Sequence, residues 1–419
     1  MSSSLRVRPL RNARLLGAEP DGTPGPADLS GPEIIEIAEA AGIRGRGGAG
    51  FPLAVKLRSV ASAPGPVRYV IANGEEGEPA SVKDRFLLRE RPDLVLRGLE
   101  LAARAVGADR AYVYGSDPSA ARRLAAKRGD VPAGSAPGIS AGMSVGVVAV
   151  APGYVAGEET AVVRAVAGGL ALPTVKPPRP WQEGVRGAPT LVSNVETLAQ
   201  LALAVRLGPE AYRGMGTPES TGTLLATLSG AGRAPGLYEV PYGVPLRELV
   251  TAHMGTDAGV TGLLAGGFAG GLLPASALDL PLTHAALARA GSTLGCGAFV
   301  LLAGDCPVGV AAEVAAFFDR ENARQCGPCV TGTSGVAGVL AGLTVRSATV
   351  EDVARLERWG AALAGRGNCA TPDAVTALVG SLFRHHRDLV DAHVGTECER
   401  CAATDVTADT RFRVSWEGS

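Results

Sequence analysis

A glycine-rich stretch near the start of the chain could bind an anion. Residues 42–52 read GIRGRGGAGFP, with five glycines and two arginines, and Lys56 follows. The backbone N–H groups of such a loop can close around a phosphate, and Arg44, Arg46 and Lys56 add positive charge. Phe51 could stack its ring on a planar heterocycle. For this stretch alone, a flexible loop without a ligand remains an alternative. The glycines that we assign to the anion cradle are Gly45, Gly47 and Gly48.

An acidic turn follows in NGEEGEPASVKDR, residues 73–85. Its carboxylates could accept hydrogen bonds from ribose hydroxyls, as an acidic residue does in dinucleotide-binding folds. They would also repel a 2′-phosphate, so they favour NADH over NADPH. A solvated acidic turn is the alternative. The carboxylates are Glu75, Glu76 and Glu78.

Two further stretches place polar groups at the start of predicted helices. GYVAGEETAVVRAV, residues 153–166, carries the paired acids Glu158 and Glu159. APTLVSNVETLAQL, residues 188–201, offers uncharged hydrogen-bonding groups. Either stretch alone could be ordinary helix capping. The uncharged groups are Ser193, Asn194 and Thr197.

Cysteines suggest a second kind of chemistry. Cys326 and Cys329 form a C-x-x-C pair in ENARQCGPCV, which could be a redox disulfide, half of a zinc site or part of an iron–sulfur ligand set. No export signal is recognisable, so the seven cysteines argue for reduced thiols or a metal site, and against a disulfide framework.

Composition limits the classes of function. The chain has 419 residues, 46% of them apolar and 19% charged, so it can build large cores. A net charge of −1 gives no electrostatic footprint for nucleic acid or an anionic membrane. No segment predicts a membrane span, and we expect a cytoplasmic protein. The Arg-rich first residues predict a disordered basic extension, with a transit-type signal as the alternative.

The elements that must position these residues alternate along the first half of the chain. After a linker at 20–31, the stretches VRYVIAN, RAYVYG and SVGVVAVAP predict strands, with helices between them, one of them around 120–127. Strand–helix–strand order predicts a parallel sheet with ligands at the carboxyl ends of its strands. From about 217 the pattern predicts a small α+β domain, and from Cys306 to about 391 it is almost entirely helical.

Taken together, in this order and spacing, the four stretches resemble the flavin- and NADH-binding subunit of respiratory complex I, the F subunit of NADH–quinone oxidoreductase. Diaphorase subunits of NAD-linked hydrogenases and formate dehydrogenases share the pattern. The family's G-R-G-G-A-G-F-P is present whole, and NGEEGEPASVKDR, GEETA, KPP and SNVETL match its later motifs. The resemblance covers about residues 42–386.

The resemblance implies a multidomain α/β fold. We expect a basic extension and linker at 1–31, a Rossmann-like FMN- and NADH-binding domain at 32–215 and a ubiquitin-like β-grasp domain of the soluble-ligand-binding kind at 216–303. A helical iron–sulfur domain, a four-helix bundle, would span 304–395 and a tail 396–419.

The resemblance also implies the roles of single residues. Around FMN it places Gly45, Arg46, Gly47, Lys56, Asn73, Glu78, Tyr154, Ser193, Asn194 and Thr197. On the NADH side it places Phe51, Glu76, Glu158 and Glu159, with Gly157 allowing the dinucleotide to approach. Hydride transfer is then cofactor chemistry, with no catalytic side chain.

The cluster motif departs from the family. S-C-G-x-C-x-P-C places its second and third cysteines on Cys326 and Cys329, and a distant fourth on Cys369, but the first falls on Ala323. A 4Fe–4S cubane normally takes four thiolates. The open corner could be filled by Cys306, Cys398 or Cys401. The alternatives are a lost cluster, or zinc held by Cys326, Cys329, Cys398 and Cys401. Cys296 is expected to be a core residue in a buried strand.

The predicted function is an FMN-dependent NADH dehydrogenase module that passes single electrons through the cluster. Its acceptor would be complex I peripheral-arm subunits or a small ferredoxin-like protein. Two family aromatics around the adenine fall on Ser59 and Arg179, so only Phe51 is aromatic here. The alternative is a non-catalytic flavin-binding scaffold with a degenerate cluster.

Overall fold

A computed structural model describes residues 5–17, 28–120, 144–401, 404–407 and 409–416. The helix predicted around 120–127 and most of the predicted linker at 20–31 lie outside these residues. Among the described helices, none is both long enough and apolar enough to cross a membrane. The described strands are β1 Arg6–Pro9, β2 Tyr69–Asn73, β3 Arg110–Gly115, β4 Ser144–Ala149, β5 Thr190–Asn194, β6 Thr223–Gly230, β7 Arg233–Pro241, β8 Gly262–Ala265, β9 Leu272–Pro274 and β10 Ala298–Leu302.

The described α-helices are numbered here in chain order. They are α1 Gly31–Ala40, α2 Leu53–Ala61, α3 Lys83–Glu90, α4 Pro92–Val106, α5 Glu159–Val166, α6 Val195–Leu207, α7 Pro209–Arg213, α8 Leu246–Met254, α9 His284–Arg289, α10 Pro307–Glu321, α11 Ser334–Thr344, α12 Val350–Ala362 and α13 Thr371–Ala392.

The first sheet has four parallel strands in the order β4-β3-β2-β5, which confirms the predicted parallel sheet. Successive side chains of a strand face opposite sides. Accordingly, Val70 and Ala72 of β2 join the core beneath α1, α2, α4 and α6, whereas Tyr69 and Ile71 join a smaller core beneath α5. Helices therefore cover both faces of the sheet, and its carboxyl edge is left to the loops.

Close contact between α4 and α6 fixes one of these faces. A Cβ at Gly98 of α4 would stand 1.9 Å from the carbonyl oxygen of Leu198 in α6. Only glycine permits that approach. Pro92 begins α4, and Gly107, with φ 64°, ends it in the left-handed conformation. The sequence thus sets both the length of α4 and the residue at which it crosses α6.

A second, mixed sheet has the order β1-β7-β6-β10-β8-β9. Strands β6 and β7 form an antiparallel hairpin, and β10 lies parallel to β6 and antiparallel to β8. Helix α8 follows the hairpin, and a core of Leu, Val, Tyr and Phe side chains joins it to the sheet. This part of the chain is the α+β region that the sequence predicted after 217.

The N-terminal segment was predicted to be disordered, and for the described residues this was wrong. Residues 6–9 form β1, an edge strand that pairs in parallel with β7. Beyond it, the buried carboxylate of Glu239 accepts the N–H groups of Arg14, Leu15 and Leu16 over 2.8, 2.8 and 3.0 Å. Backbone pairing and this single carboxylate order a segment whose side chains, apart from Leu15, are mostly exposed.

The last part of the chain is helical. Helix α10 packs against α11 and α13, and α13 packs against α12. At 1.5 Å per residue, the 15 residues of α10 span about 22 Å. The 22 residues of α13, kinked at His386, span about 30 Å. The loops at the two ends of this pair of helices are therefore far apart, which decides where the cysteines can meet.

The tail returns from the helices to the first domain. Val414 N–H donates to the carbonyl of Pro79 over 2.8 Å, and the Trp416 ring packs against Phe86 of α3 with centroids 5.5 Å apart. Arg85 donates to the carbonyl of Val414 over 3.2 Å. The tail thus lies against the residues that follow the acidic turn.

Candidate functional site

The glycine-rich stretch forms a loop that is anchored at both ends. Gly45 N–H donates to the carbonyl oxygen of Phe51 over 2.8 Å, so the loop closes on itself. Arg46 N–H donates to Thr197 Oγ1, in the first turn of α6, over 2.8 Å. The Phe51 side chain is 52% exposed. The predicted cradle and the predicted stacking ring therefore belong to one closed loop.

One corner of this loop is open. Gly48 has φ 119°, a conformation that favours glycine, and a Cβ built there would meet no atom within 4 Å. A Cβ at Gly47 would stand 3.4 Å from Cβ of Asn194, so the loop lies against the end of β5. Ser193, the preceding residue of β5, is buried. Backbone at Gly48 is thus free to approach a ligand at the edge of the sheet.

The Arg46 side chain faces the interior, where it joins two domains. Its guanidinium donates to the carbonyl of Thr223 in β6 over 3.0 Å and lies 4.8 Å from the Tyr242 ring centre. Its Nε lies 3.6 Å from Glu196 Oε1. The contribution of Arg46 to an anion cradle would therefore come from its backbone, because these contacts engage its side chain.

Two asparagines meet at the carboxyl edge of the parallel sheet. Asn73 at the end of β2 lies directly opposite Asn194 at the end of β5. The Asn73 amide donates to the carbonyl of Gly157 over 2.8 Å, and the Asn194 amide donates to Asp84 over 2.7 Å. Three of the predicted stretches therefore converge at this edge, as the strand order predicts.

The acidic turn divides into carboxylates with different partners. Both oxygens of Glu76 are engaged: they accept from Ser81 Oγ and from the N–H groups of Asp84 and Arg85, over 2.6, 3.1 and 3.1 Å. Glu76 thus satisfies backbone donors at the start of α3. Although burial opposes it, the positive charges of Arg85 and Lys83 lower the pKa of Glu76. Its carboxylate is an anchor of the turn.

Glu75 has a free oxygen. One oxygen accepts from Gly153 N–H over 3.3 Å, but the buried Oε2 has no hydrogen-bond partner within the described part of the chain. Burial raises the pKa of Glu75, and the neighbouring groups of Ser116 and Gly153 oppose that rise. A buried acceptor without a partner is uncommon, and a ligand hydroxyl would satisfy it.

Glu78 links the first domain to the second. Its carboxylate accepts from the N–H of Ala80 over 3.3 Å and from the N–H of Phe268, between β8 and β9, over 3.1 Å. Burial raises the pKa of Glu78 to about 7. Gly267 faces this carboxylate so closely that a Cβ there would stand 2.5 Å from Glu78 Oε2. The sequence did not predict this contact between domains.

Three cations surround the paired acids before α5. Lys176 Nζ lies 2.7 Å from Glu158 Oε1 and 3.7 Å from Glu159 Oε1. Lys56 Nζ lies 3.8 Å from Glu159 Oε2, and Arg179 lies 3.7 Å from Glu159 Oε1. Glu158 also caps α5 by accepting from the N–H of residues 160 and 161. The group carries one positive charge in excess, which suits a bound phosphate.

Lys56 is held by its surroundings. Its Nζ donates to the carbonyl oxygen of Val192 in β5 over 2.6 Å. Burial lowers the pKa of Lys56, and the nearby Glu159 opposes that effect. The ammonium is thus fixed beside β5, in the strand that carries Ser193 and Asn194.

Tyr154 connects the sheet edge with the helical region. Its ring packs edge-on against Phe317 and Phe318 of α10, with centroids 5.7 and 5.2 Å away. Its N–H donates to the Glu321 carboxylate over 3.2 Å. Burial raises the pKa of the Tyr154 phenol, and the nearby Glu78 and Cys369 contribute further. The turn that carries Tyr154 therefore lies between the sheet edge and the loop of Cys369.

Cys326, Cys329 and Cys369 approach one another at one end of the helices. The Cys329 thiol is close to both of the others, and its contact with Cys369 lowers the pKa of Cys369 to about 6. Cys369 also donates to Thr371 Oγ1 over 3.4 Å. Cys296 lies in the turn before β10, so the predicted strand position was wrong. The three predicted ligands are thus neighbours.

Cys306, Cys398 and Cys401 do not join that group. Cys306 immediately precedes α10, whereas Cys326 lies five residues beyond its other end, about 22 Å away along the helix axis. The three instead gather with His393, and the four ligand atoms all lie within 4.8 Å of one another. The prediction that one of them fills the open cluster corner was wrong. The prediction of zinc shared with Cys326 and Cys329 was also wrong, because helix length separates the pairs.

His393 was missed at the level of sequence, and so was the buried pair of Lys83 and Glu196. A lone histidine carries no motif, and it approaches Cys306 only after 87 intervening positions have folded. Lys83 belongs to the K-D-R signature, which could have marked it as a buried charge.

Comparisons with known proteins cover most of the chain. Residues 38–203 match the family model described as the Nuo51 FMN-binding domain, and residues 309–393 match the NADH-ubiquinone oxidoreductase-F iron-sulfur binding region. The second NADH-quinone oxidoreductase F subunit of Rhizobium meliloti (strain 1021) is 34% identical over 380 residues, 88% of this chain and 90% of that protein. The NADH-quinone oxidoreductase F subunit of Aquifex aeolicus (strain VF5) is 34% identical over 335 residues, 78% of this chain and 77% of that protein.

Solved structures agree with the curated relatives. A chain of an NAD+-reducing NiFe hydrogenase in the air-oxidized state superposes with a TM-score of 0.84 at 32% identity, covering 96% of this chain and 70% of that one. The H2-reduced state of such a hydrogenase gives a TM-score of 0.85 at 33% identity, covering 93% and 68%.

Proposed function

The chain belongs to the family of NADH-quinone oxidoreductase F subunits, and on that premise we propose that it is an NADH dehydrogenase module that uses FMN and an iron–sulfur cluster. The observation that carries the proposal is a convergence. The glycine-rich loop, Asn73 and Asn194 meet at one edge of a parallel sheet. Tyr154, beside that edge, packs on the helix that leads to the cysteine loop. A flavin site and a cluster site are thus neighbours.

The residues at the sheet edge fit a flavin nucleotide. Gly48 leaves an open corner lined by backbone, and Lys56 holds a positive charge beside it. The buried Oε2 of Glu75 requires a donor, which a hydroxyl of a nucleotide can supply. FMN, when bound, accepts a hydride from NADH and gives up electrons one at a time. The chain's own part is to bind and orient the two partners and to exclude water.

Binding of FMN is assigned to the loop and the sheet edge. Backbone N–H groups at Gly47 and Gly48, with the Lys56 ammonium, hold the phosphate. The amide groups of Asn73 and Asn194 orient the nucleotide at the ends of β2 and β5. The further residues assigned to this site are Gly45, Arg46, Glu78, Tyr154, Ser193 and Thr197.

NADH is assigned to the exposed side of the same edge. Phe51 offers a ring to a planar heterocycle, and the free oxygen of Glu75 offers an acceptor to ribose. A carboxylate in that place disfavours a 2′-phosphate, so NADH is preferred to NADPH. Gly157 leaves room for the dinucleotide. Glu76, Glu158 and Glu159 act indirectly, because their oxygens already hold α3, α5 and the surrounding cations.

Cys326, Cys329 and Cys369 fit a cluster with three protein thiolates. They are the cysteines at this end of α10 and α13, and Cys329 is close to the other two. Ala323 stands where the family pattern has its first cysteine, and the described cysteines that remain lie elsewhere. A small ligand or solvent then completes the fourth corner.

The proposed division of the chain follows the same reasoning. Residues 32–215 form the Rossmann-like FMN domain, 216–303 the β-grasp domain and 304–395 the helical iron–sulfur domain, before the tail at 396–419. The acceptor is a ferredoxin-like protein or another iron–sulfur subunit of a larger complex. The module works in the cytoplasm, at the inner face of the membrane when such a complex is membrane-bound.

A visible spectrum of anaerobically purified protein tests the proposal, with iron counted in the same sample. Flavin bands that bleach on addition of NADH support the dehydrogenase. Flavin bands that NADH leaves unchanged support the second candidate, a flavin-binding scaffold, which the alanine at position 323 favours. A spectrum without flavin contradicts both.

A further inference from the structure

A second group of metal-ligating side chains lies at the far end of the helices. Cys306 Sγ and Cys401 Sγ lie 3.3 and 3.4 Å from His393 Nε2, and Cys398 completes a set whose ligand atoms are all within 4.8 Å. Cys306, His393 and Cys401 are buried, and Cys398 is half-buried. From this arrangement we infer that the chain binds one structural Zn²⁺ ion through Cys306, His393, Cys398 and Cys401.

The spacing of the four ligands suits a single ion. With Zn–S bonds of about 2.3 Å in a tetrahedron, neighbouring sulfurs stand about 3.8 Å apart. Ligand atoms that all lie within 4.8 Å can meet that geometry after small rotations. The thiolates of a cubane bind different iron atoms and are separated by the width of the cluster. The set is thus too closely gathered for a cluster of that kind.

The histidine is oriented by its neighbour. Nδ1 of His393 lies 2.7 Å from the carbonyl oxygen of Leu389, one turn earlier in α13. A carbonyl only accepts, so Nδ1 carries the proton and Nε2 presents its lone pair to the three sulfurs. Metal-binding histidines are held in this manner, by a second hydrogen bond that fixes the tautomer. The Leu389 contact is therefore an independent sign of a ligand at Nε2.

The ligand types select zinc. Three thiols and one imidazole form a closed Cys₃His set, which is a structural zinc combination with no position left for substrate. Each cysteine releases its proton to solvent as it binds, and the fixed His393 tautomer loses none. Burial of three ligands keeps water from competing for the metal.

This group is separate from the proposed cluster and from the family's iron–sulfur region. That region matches residues 309–393, whereas Cys306 precedes it and Cys398 and Cys401 follow it. Helix α10 separates Cys306 from Cys326 by about 22 Å. Electron transfer from flavin to the cysteine loop therefore does not pass this point.

Zinc would fix the start of the returning tail. Beyond Cys401, Arg411 pairs with Glu313 of α10 over 3.0 Å, and Trp416 packs on Phe86 of α3. The two contacts lie on different domains. An ion that ties Cys398 and Cys401 to α10 and α13 makes the tail a strap with a fixed origin, which holds the helical region against the first domain.

Metal analysis of the full-length chain, purified without chelators, tests the site. We expect about one zinc ion per chain in addition to iron. Cys401→Ser should lower zinc content roughly tenfold or more and leave iron unchanged. Cys326→Ser is the matched control, because it removes a thiol of the other group: iron should fall and zinc should stay.

A second pair of variants guards against misfolding. Cys398→Ser changes the least buried ligand and should also lose zinc, whereas His393→Cys keeps four ligands and should retain it. Limited proteolysis of Cys398→Ser should cleave the tail faster than in the wild type. Wild type without zinc, a Cys398–Cys401 disulfide in its intact mass, zinc retained in both Ser variants, or iron lost with Cys401→Ser would each overturn the assignment.

Discussion

Lys83 Nζ lies 3.2 Å from Glu196 Oε2, and each of these side chains is only 1% exposed. Asp84 lies 2.7 Å from the same ammonium, and Arg46 lies 3.6 Å from the other oxygen of Glu196. Two positive and two negative groups thus balance in the interior, where α3, α6 and the glycine-rich loop meet. A buried set of this kind is stable only while it is complete.

Glu196→Gln should therefore destabilise the fold. Removing one charge leaves Lys83 and Arg46 with a single buried counter-ion, and the free energy of unfolding should fall by about 3 kcal/mol. Denaturant unfolding followed by circular dichroism measures it. Glu36→Gln on exposed α1 is the control and should change stability by less than about 0.5 kcal/mol. Equal stability of the two variants would show that the buried set does not act as a unit.

Lys56→Met should weaken flavin binding. The ammonium stands beside β5 with its charge directed to the proposed phosphate, and a charged hydrogen bond of about 1.5–3 kcal/mol corresponds to roughly 10- to 100-fold in affinity. Flavin content after desalting, and titration with FMN, measure the loss. Arg58→Met is the control, because Arg58 lies on the same helix and pairs with exposed Glu39. Full flavin content in Lys56→Met would remove the phosphate assignment.

Glu78→Gln should remove a pH dependence of stability. The folded-state pKa of Glu78 is raised to about 7 from 4.5, so between these values the folded chain holds a proton that the unfolded chain releases. Stability falls as pH rises through that window, by at most about 3 kcal/mol.

The measurement compares wild type with Glu78→Gln, both free of flavin, in denaturant at several pH values from 4.5 to 8. The wild type should lose more stability than the variant. Asp84, whose pKa is also raised to about 7 by burial, titrates in both proteins and cancels in the difference. Parallel curves would mean that Glu78 does not hold a proton in the fold.

Cys369→Ser should separate the two halves of the reaction. Iron content should fall, and reduction of an external one-electron acceptor should slow. Bleaching of flavin by NADH should survive, because the sheet edge and the cysteine loop belong to different domains. Stopped-flow absorbance follows both steps, and Cys296→Ser serves as the cysteine control. Unchanged iron in Cys369→Ser would exclude it as a ligand.

The parallel sheet and its ligand edge could be predicted from sequence. Tyr69–Asn73 is a short apolar run that ends in a polar residue, and parallel pairing then brings Asn73 beside Asn194. Glu158 caps α5, as the alternative interpretation of GEETA allowed. Such features depend on local patterns and on one rule of topology, so sequence alone carries them.

Other features depend on contacts between distant residues. Glu76 looked like a carboxylate for ribose, yet the donors at the start of α3 occupy it. Cys306 and His393 meet only because α10 and α13 bring opposite ends of two helices together. The pair of cysteines in the tail then has one possible group to join. Spacing along the chain could not reveal this, since the relevant distance is set by helix length.

Strand β1 has a consequence for the order of assembly. Arg6 pairs with Gly236 of β7, so 230 residues separate the two partners. At a synthesis rate of roughly 5 to 20 residues per second, the ribosome needs on the order of 10 to 50 s between them. For that time the first strand has no β7 to pair with, whereas the intervening parallel sheet can already fold. The beginning of the chain is thus among the last segments to find its place.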